Sequence, residues 1–197
     1  MQKTKKCEPN VTAHSFFCTL FFRTAYTFNM KTIAYNRAAA VAYARRFAYS
    51  RNPAYFDFSS IGGDCTSFAS QCLFAGCNVM NFTPVLGWFY RSATDRTAAW
   101  TGVEYFYNFL TNNSYGALVG DGSGPFAEVV PLSGLEIGVF VQFGRATGDF
   151  YHTPIVVGFD GNEPLLAAHS NDTFGRPLSS WQFAKLRCIH ILGARTH

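Results

Sequence analysis

The hydrophobic pattern of the chain changes period at Leu135, and this change limits the fold more than any other feature. Before it, apolar residues recur at helical spacing. In residues 36–50, Val41, Ala44 and Ala48 share one face, while Arg37 and Arg45 lie elsewhere. Asn36 can accept a hydrogen bond from the first turn, and Pro53 in "SRNPAY" stops any continuation. A second helical stripe runs through "CTSFASQCLFAG". It joins Phe68, Cys72 and Ala75, has Ala69 and Leu73 beside it, and ends at Gly76. After Leu135 the runs "IGVFVQF", "YHTPIVVGFD", "PLLAAHS" and "LRCIHIL" are strand-like and separated by turn residues, with "FDGNEP" suited to a hairpin. Helices first and an antiparallel sheet second predict an α+β fold. Between these halves, "VEYFYNFL" predicts a short helix and "WFYRSATDRTAAW" a loop. There is no internal repeat.

The 197 residues suit one domain, and 48% hydrophobic content can build a sizeable core. Charged residues are only 14%, against roughly 25% in typical soluble domains. With 21 Phe and 10 Tyr, an aromatic core is favoured over a ring-lined groove. Residues 1–29 differ from the rest. They are basic, then apolar over residues 16–22, then broken by Arg23, with no small-x-small cleavage site and too little apolar length to span a membrane. Met30 opens "MKTIAYNRAAAVAYARRFAYS", which reads as a protein start. Residues 1–29 are therefore expected to be a leader or upstream extension with little structure, and residues 30–197 the domain. A start at Met30 implies a cytoplasmic protein, and export is the alternative. A monomer is expected.

Apart from Lys3, Lys5 and Lys6, the basic residues behind the net charge of +4 are scattered. That fits an anionic polymer as partner better than nucleic acid, which needs a dense basic face. The cysteines Cys7, Cys18, Cys65, Cys72, Cys77 and Cys188 show no CxxC or CxxH spacing, so no zinc site, other metal or cofactor is expected. Most should behave as small buried hydrophobes.

Cys65 stands apart because "SSIGGDC" places it at a turn entering a helix. Free N–H groups and the partial positive charge there favour a thiolate and can hold an oxyanion. Gly62 and Gly63 allow the tight turn. A cysteine after a glycine turn is by itself weak evidence, since buried cysteines are common. His152 lies early in a strand, where a core histidine with one bonded nitrogen is the ordinary reading. A rigid, shielded imidazole facing a helix N-terminus is also what a thiol hydrolase needs as its base. A third group must hold that imidazole. His169 and Asn171 share a strand face by the period of two, and either could serve. Asp172 faces the other way unless a turn brings it round. His190 reads as structural, and His14 and His197 are given no role.

"GGDCTSFASQCL" resembles the nucleophile segment of the putative amidase domains of Gram-positive bacteria, whose pattern is close to GGDCTNFVSQCL. "YNRAAAVAYARRFAYSRNPAY" is similar to that family's opening helix, "FYHTPIVVGFDGNEPLLAAHSNDTFGRPLSSW" to its histidine strand with the next strand and loop, and "CIHILGAR" to its ending. These ordered blocks cover residues 34–195. The resemblance implies a papain-like fold near the CHAP and NlpC/P60 hydrolases, with helices packed on an antiparallel sheet. It implies Cys65 as nucleophile and His152 as base. The third residue would be His169, by analogy with the second histidine of NlpC/P60, or Asn171, by analogy with CHAP. Asp64 and Gly63 would border the substrate or oxyanion region. The implied reaction is amide hydrolysis through a thioester, on peptidoglycan peptide or amide bonds. The alternatives are a peptidase of proteins and a catalytically silent wall-binding domain. Two departures stand out. Val139 replaces an acid that relatives carry before the histidine strand, and no glutamine lies between Gln2 and Gln71 to act as an oxyanion donor.

Overall fold

The computed structural model describes residues 30–113 and 118–197. The expected leader, residues 1–29, lies outside the described residues, as do Cys7, Cys18 and His14. The chain forms β1 (Lys31–Ile33), α1 (Arg37–Phe47), α2 (Cys65–Cys77), α3 (Ala98–Thr101) and α4 (Val103–Asn112). These are followed by β2 (Gly124–Val130), β3 (Phe140–Gly144), β4 (Phe150–His152), β5 (Ile155–Asp160), β6 (Glu163–Ala168), β7 (Thr173–Pro177) and β8 (Lys185–Thr196). The class is α+β, with helices first and then a curled antiparallel sheet. The main strand order is β1-β8-β3-β5-β6-β7, with β2 paired to β8 and β4 to β3.

α1 starts where the sequence places it. The Asn36 side chain accepts from the Ala39 amide at 2.9 Å, and Ala40 and Ala44 are buried. α2 departs from the simple stripe, because Phe74 and Ala75 are only half-buried and the rest of the helix is buried on all sides. Its polar residues are satisfied internally. Ser70 Oγ donates to Trp100 O at 2.9 Å and accepts from Trp88 Nε1 at 3.0 Å, and Gln71 Oε1 accepts from Tyr43 at 2.7 Å. The helix runs one residue past the expected stop at Gly76 and closes at Asn78 in a left-handed conformation, φ 52°. Gly76 serves packing instead. A Cβ there would sit 2.2 Å from the Tyr35 ring, so only glycine lets the start of α1 approach α2, where Asn36 N donates to Gly76 O at 2.8 Å.

The middle of the chain holds α4 as expected, but "WFYRSATDRTAAW" contains the short α3, and β2 was not legible. This region and β3 supply an aromatic core in which the rings of Trp88 and Trp100 lie 4.9 Å apart and Phe106 meets Phe140 at 5.5 Å. The sheet is covered on both faces. Phe140, Ile155, Val157 and Ala167 face the helices, while Val139, Val141, Phe143, Val156 and Leu166 form a second cluster with Leu178. Val139, at the position of the missing acid, is buried in that second cluster.

Two strand expectations are corrected. "YHTPIVVGFD" is not one strand. Pro154 has no N–H to give a ladder, and the run divides into β4 and β5 around Thr153 and Pro154. "PLLAAHS" ends at Ala168, and Ser170 and Asn171 turn with φ of 60° and 91°, so His169 and Asn171 do not share a strand face. The "FDGNEP" hairpin forms as read, with Asp160 opposite Glu163 and Gly161 at φ 57°.

Candidate active site

The turn before α2 uses its glycines. Gly62 and Gly63 have φ of 92° and 106°, which a side chain would strain, and they deliver Asp64 and then Cys65 to the helix N-terminus. Asp64 precedes the helix, but its carboxylate does not cap it. Oδ1 accepts from Phe58 N at 3.2 Å and Oδ2 lies 2.6 Å from His169 Nδ1. The other nitrogen of His169, Nε2, donates to Phe47 O at 2.8 Å, and the ring stacks on Phe68 at 4.0 Å. Since a carbonyl only accepts, Nε2 carries a proton, and a further proton lies between Nδ1 and Oδ2. Asp64 N donates to Ser170 Oγ at 3.1 Å, and Arg51 binds Asp172 through both oxygens at 2.8 and 3.1 Å while approaching Asp64 at 3.5 Å. This network clamps the loop after β6 onto the start of α2.

Two expectations change here. His169 cannot orient His152, because both its nitrogens are committed to Asp64 and Phe47 and its side chain is 1% exposed. Asp64 does not border the substrate region, because it is equally buried beneath α2. Gly63 and Asn171 do line a cleft, of about 630 Å³, together with Cys65, His152, Tyr151, Arg176 and Trp181. No hydrogen bond joins Asn171 to His152. Among the described residues, His152 Nε2 is buried without a hydrogen-bond partner. Rings hold the imidazole instead. Trp181 lies 5.3 Å away, Phe143 5.9 Å and Tyr151 6.5 Å.

The Cys65 sulfur lies 3.8 Å from the Thr66 hydroxyl, and the backbone of Thr153, the residue after His152, acts on the thiol together with that of Thr66. Helix and strand meet where Thr66 Oγ1 approaches Thr153 Oγ1, and Cys65 and His152 line one cleft. Beneath them runs a buried polar chain. Arg187 Nε donates to Gln142 Oε1 at 2.7 Å, Gln142 Nε2 donates to Thr153 Oγ1 at 3.1 Å, and Thr153 Oγ1 lies 3.1 Å from Thr66 Oγ1. Arg187 can only donate, and this fixes the direction at Gln142. The assignment that gives every hydroxyl proton an acceptor sends Thr153 O–H to Thr66 and Thr66 O–H to sulfur. Glu104 Oε2 holds the far end through Arg187 Nη2 at 3.0 Å.

Burial pushes the Cys65 thiol up. The hydrogen bonds from Thr153 and Thr66 oppose that shift without reversing it, and neighbouring Asp64 adds to it. The helix N-terminus thus does not produce the lowered thiol pKa that position alone implies. Burial also takes His152 down to about 4, helped by the positive charge of Arg176. Both shifts favour the uncharged forms, thiol and neutral imidazole. Among the described residues, no cluster of three or more His, Cys, Asp or Glu side chains could hold a metal ion. Cys72, Cys77 and Cys188 are free and buried.

A model of the family described as "Putative amidase domain" matches residues 34–192, a span that includes both Cys65 and His152. The chain belongs to this amidase family. It is also similar to the Uncharacterized protein YhbB of Bacillus subtilis (strain 168), at 33% identity over 147 residues, covering 73% of this chain and 44% of that protein. The chain thus spans less than half the length of this curated relative. No solved structure matches it. Membership of the amidase family points to hydrolysis of an amide bond.

The sequence reading missed Arg176, Trp181, Thr153 and Gln142. The first two come after the left-handed turn at Ser170 and Asn171, whose return path has no periodic signal. Thr153 and Gln142 look like ordinary strand residues until their partners are known.

Proposed function

We propose that this amidase-family chain is a cysteine-dependent hydrolase of papain-like type, with Cys65 as nucleophile and His152 as base. The placement of Cys65 and His152 in a shared cleft, with their chain neighbours Thr66 and Thr153 in contact at 3.1 Å, carries this reading. The Cys65 thiol attacks the amide carbonyl as His152 takes its proton. The oxyanion forms near the amides at the start of α2. His152 returns the proton to the departing amine, leaving a thioester on Cys65. Water, deprotonated by His152, then attacks the thioester and frees the acid. The bonds acted on are peptide or amide bonds of peptidoglycan, a choice that rests on the likeness to the CHAP and NlpC/P60 hydrolases.

The test is chromatography of a panel of soluble muropeptides and ordinary peptides after incubation with the protein. Release of a new amine from muropeptides, abolished in Cys65→Ala and reduced at least about a hundredfold in His152→Ala, supports the reading. Cleavage of ordinary peptides alone makes it a protein peptidase. Cleavage of neither, with the folded protein retained on wall material, makes it a silent binder.

A further inference from the structure

Every charged side chain that comes near the Cys65–His152 cleft has an identifiable counterpart, with one exception. Arg51 is paired with Asp172, and Arg187 with Glu104. Arg176, on β7, has no carboxylate partner among the described residues, yet it lines the cleft. Among the described residues it is the sole charged one there. The rest of the lining is Cys65, the rings of Phe143, Tyr151, His152 and Trp181, and glycine, hydroxyl and amide residues.

The guanidinium is held in place. Nε donates to Ser180 Oγ at 2.9 Å and Nη2 to Ser180 O at 2.8 Å, and its carbon sits 4.0 Å from the centre of the Trp181 ring. Trp181 in turn lies 5.3 Å from the His152 ring. Two of its five N–H donors serve Ser180, which leaves three for a ligand. A pre-positioned planar fork beside a nucleophile and its base is the arrangement that recognises a carboxylate through paired, charge-assisted hydrogen bonds.

We infer that Arg176 is the carboxylate-recognition residue of this cleft, and that the amide hydrolysed belongs to a compound carrying a free carboxylate close to the scissile bond. This rests on the amidase reading above and narrows its substrates to acidic peptides or acylated amino acids. There is a second consequence. Burial is the main cause of the lowered His152 and Arg176 the lesser one, and a substrate carboxylate paired with Arg176 offsets the lesser one.

Two alkylating reagents of nearly the same size separate the claim from the amidase reading. Iodoacetate carries a carboxylate and iodoacetamide does not. The rate of each at Cys65, located by peptide mapping of the full chain, is divided one by the other and compared with the same ratio for N-acetylcysteine. The wild-type ratio should exceed the reference by roughly five- to tenfold. Arg176→Gln should bring it close to the reference, and Arg176→Lys should keep part of the excess. A wild-type ratio equal to the reference overturns the inference without any variant needing to fold, and so does an unchanged ratio in folded Arg176→Gln. If Cys65 reacts with neither reagent while N-acetylcysteine reacts with both, the amidase reading itself fails and the inference falls with it.

Discussion

His169 Nδ1 lies 2.6 Å from Asp64 Oδ2, so the histidine that follows β6 is bound to the residue before Cys65 and not to His152. The pair sets the position of Cys65 by locking the start of α2 against Phe47 and the loop after β6. Removing one partner leaves the other buried and uncompensated.

His169→Ala should therefore cost about 3–5 kcal/mol of folding stability. Asn171→Ala, at an exposed turn in the cleft, should cost less, about 1 kcal/mol. Urea denaturation at neutral pH checks both. A His169→Ala protein as stable as the wild type, but with turnover lost, would restore His169 to a catalytic role.

The depressed His152 also fixes how stability depends on acid. Its folded pKa of about 4 lies below the value of about 6.5 expected in the unfolded chain, so below pH ~6.5 the unfolded state binds the extra proton first. The stabilising contribution is complete above pH ~6.5 and is lost progressively as pH falls towards 4. Between pH ~7 and ~5 this amounts to about 2 kcal/mol. Comparing urea midpoints of wild type and His152→Gln at the two pH values should show a smaller loss in the variant. Equal losses would place the acid sensitivity elsewhere.

The same two groups shape the activity profile. With His152 neutral above about 4 and burial pushing the Cys65 thiol up, kcat/KM should hold a broad plateau across neutral pH, with its acid limb well below that of an ordinary histidine. A narrow bell centred near pH ~6 would instead indicate a thiolate–imidazolium pair.

The polar chain from Arg187 to Cys65 predicts that Thr153 tunes the thiol through its hydroxyl. Thr153→Val should move the alkylation profile of Cys65 to higher pH, and Thr153→Ser should restore it. A profile insensitive to both changes would leave Thr153 a packing residue.

The sequence carried the order of helices and strands because their periods are local. The Asn36 cap, the "FDGNEP" turn and the glycine turn before Cys65 all formed as read. The segments that carry Cys65 and His152 were legible for the same reason, and the two residues line one cleft. The third position was not legible, because strand alternation was carried past Ala168 into residues that turn with positive φ. Pairing His169 with Asp64 requires a contact 105 residues apart in the chain that no local pattern encodes. β2 escaped notice because Gly124 and Pro125 begin it, and it forms through pairing with β8 rather than through its own propensity.

Cys65 as the nucleophile is tested most directly by intact-mass analysis of the full chain, quenched in acid after brief incubation with soluble muropeptides. The wild-type chain should carry an acyl adduct on Cys65 that hydroxylamine removes, and Cys65→Ala should show neither adduct nor cleavage. Cleavage by Cys65→Ala at the wild-type rate would contradict that role.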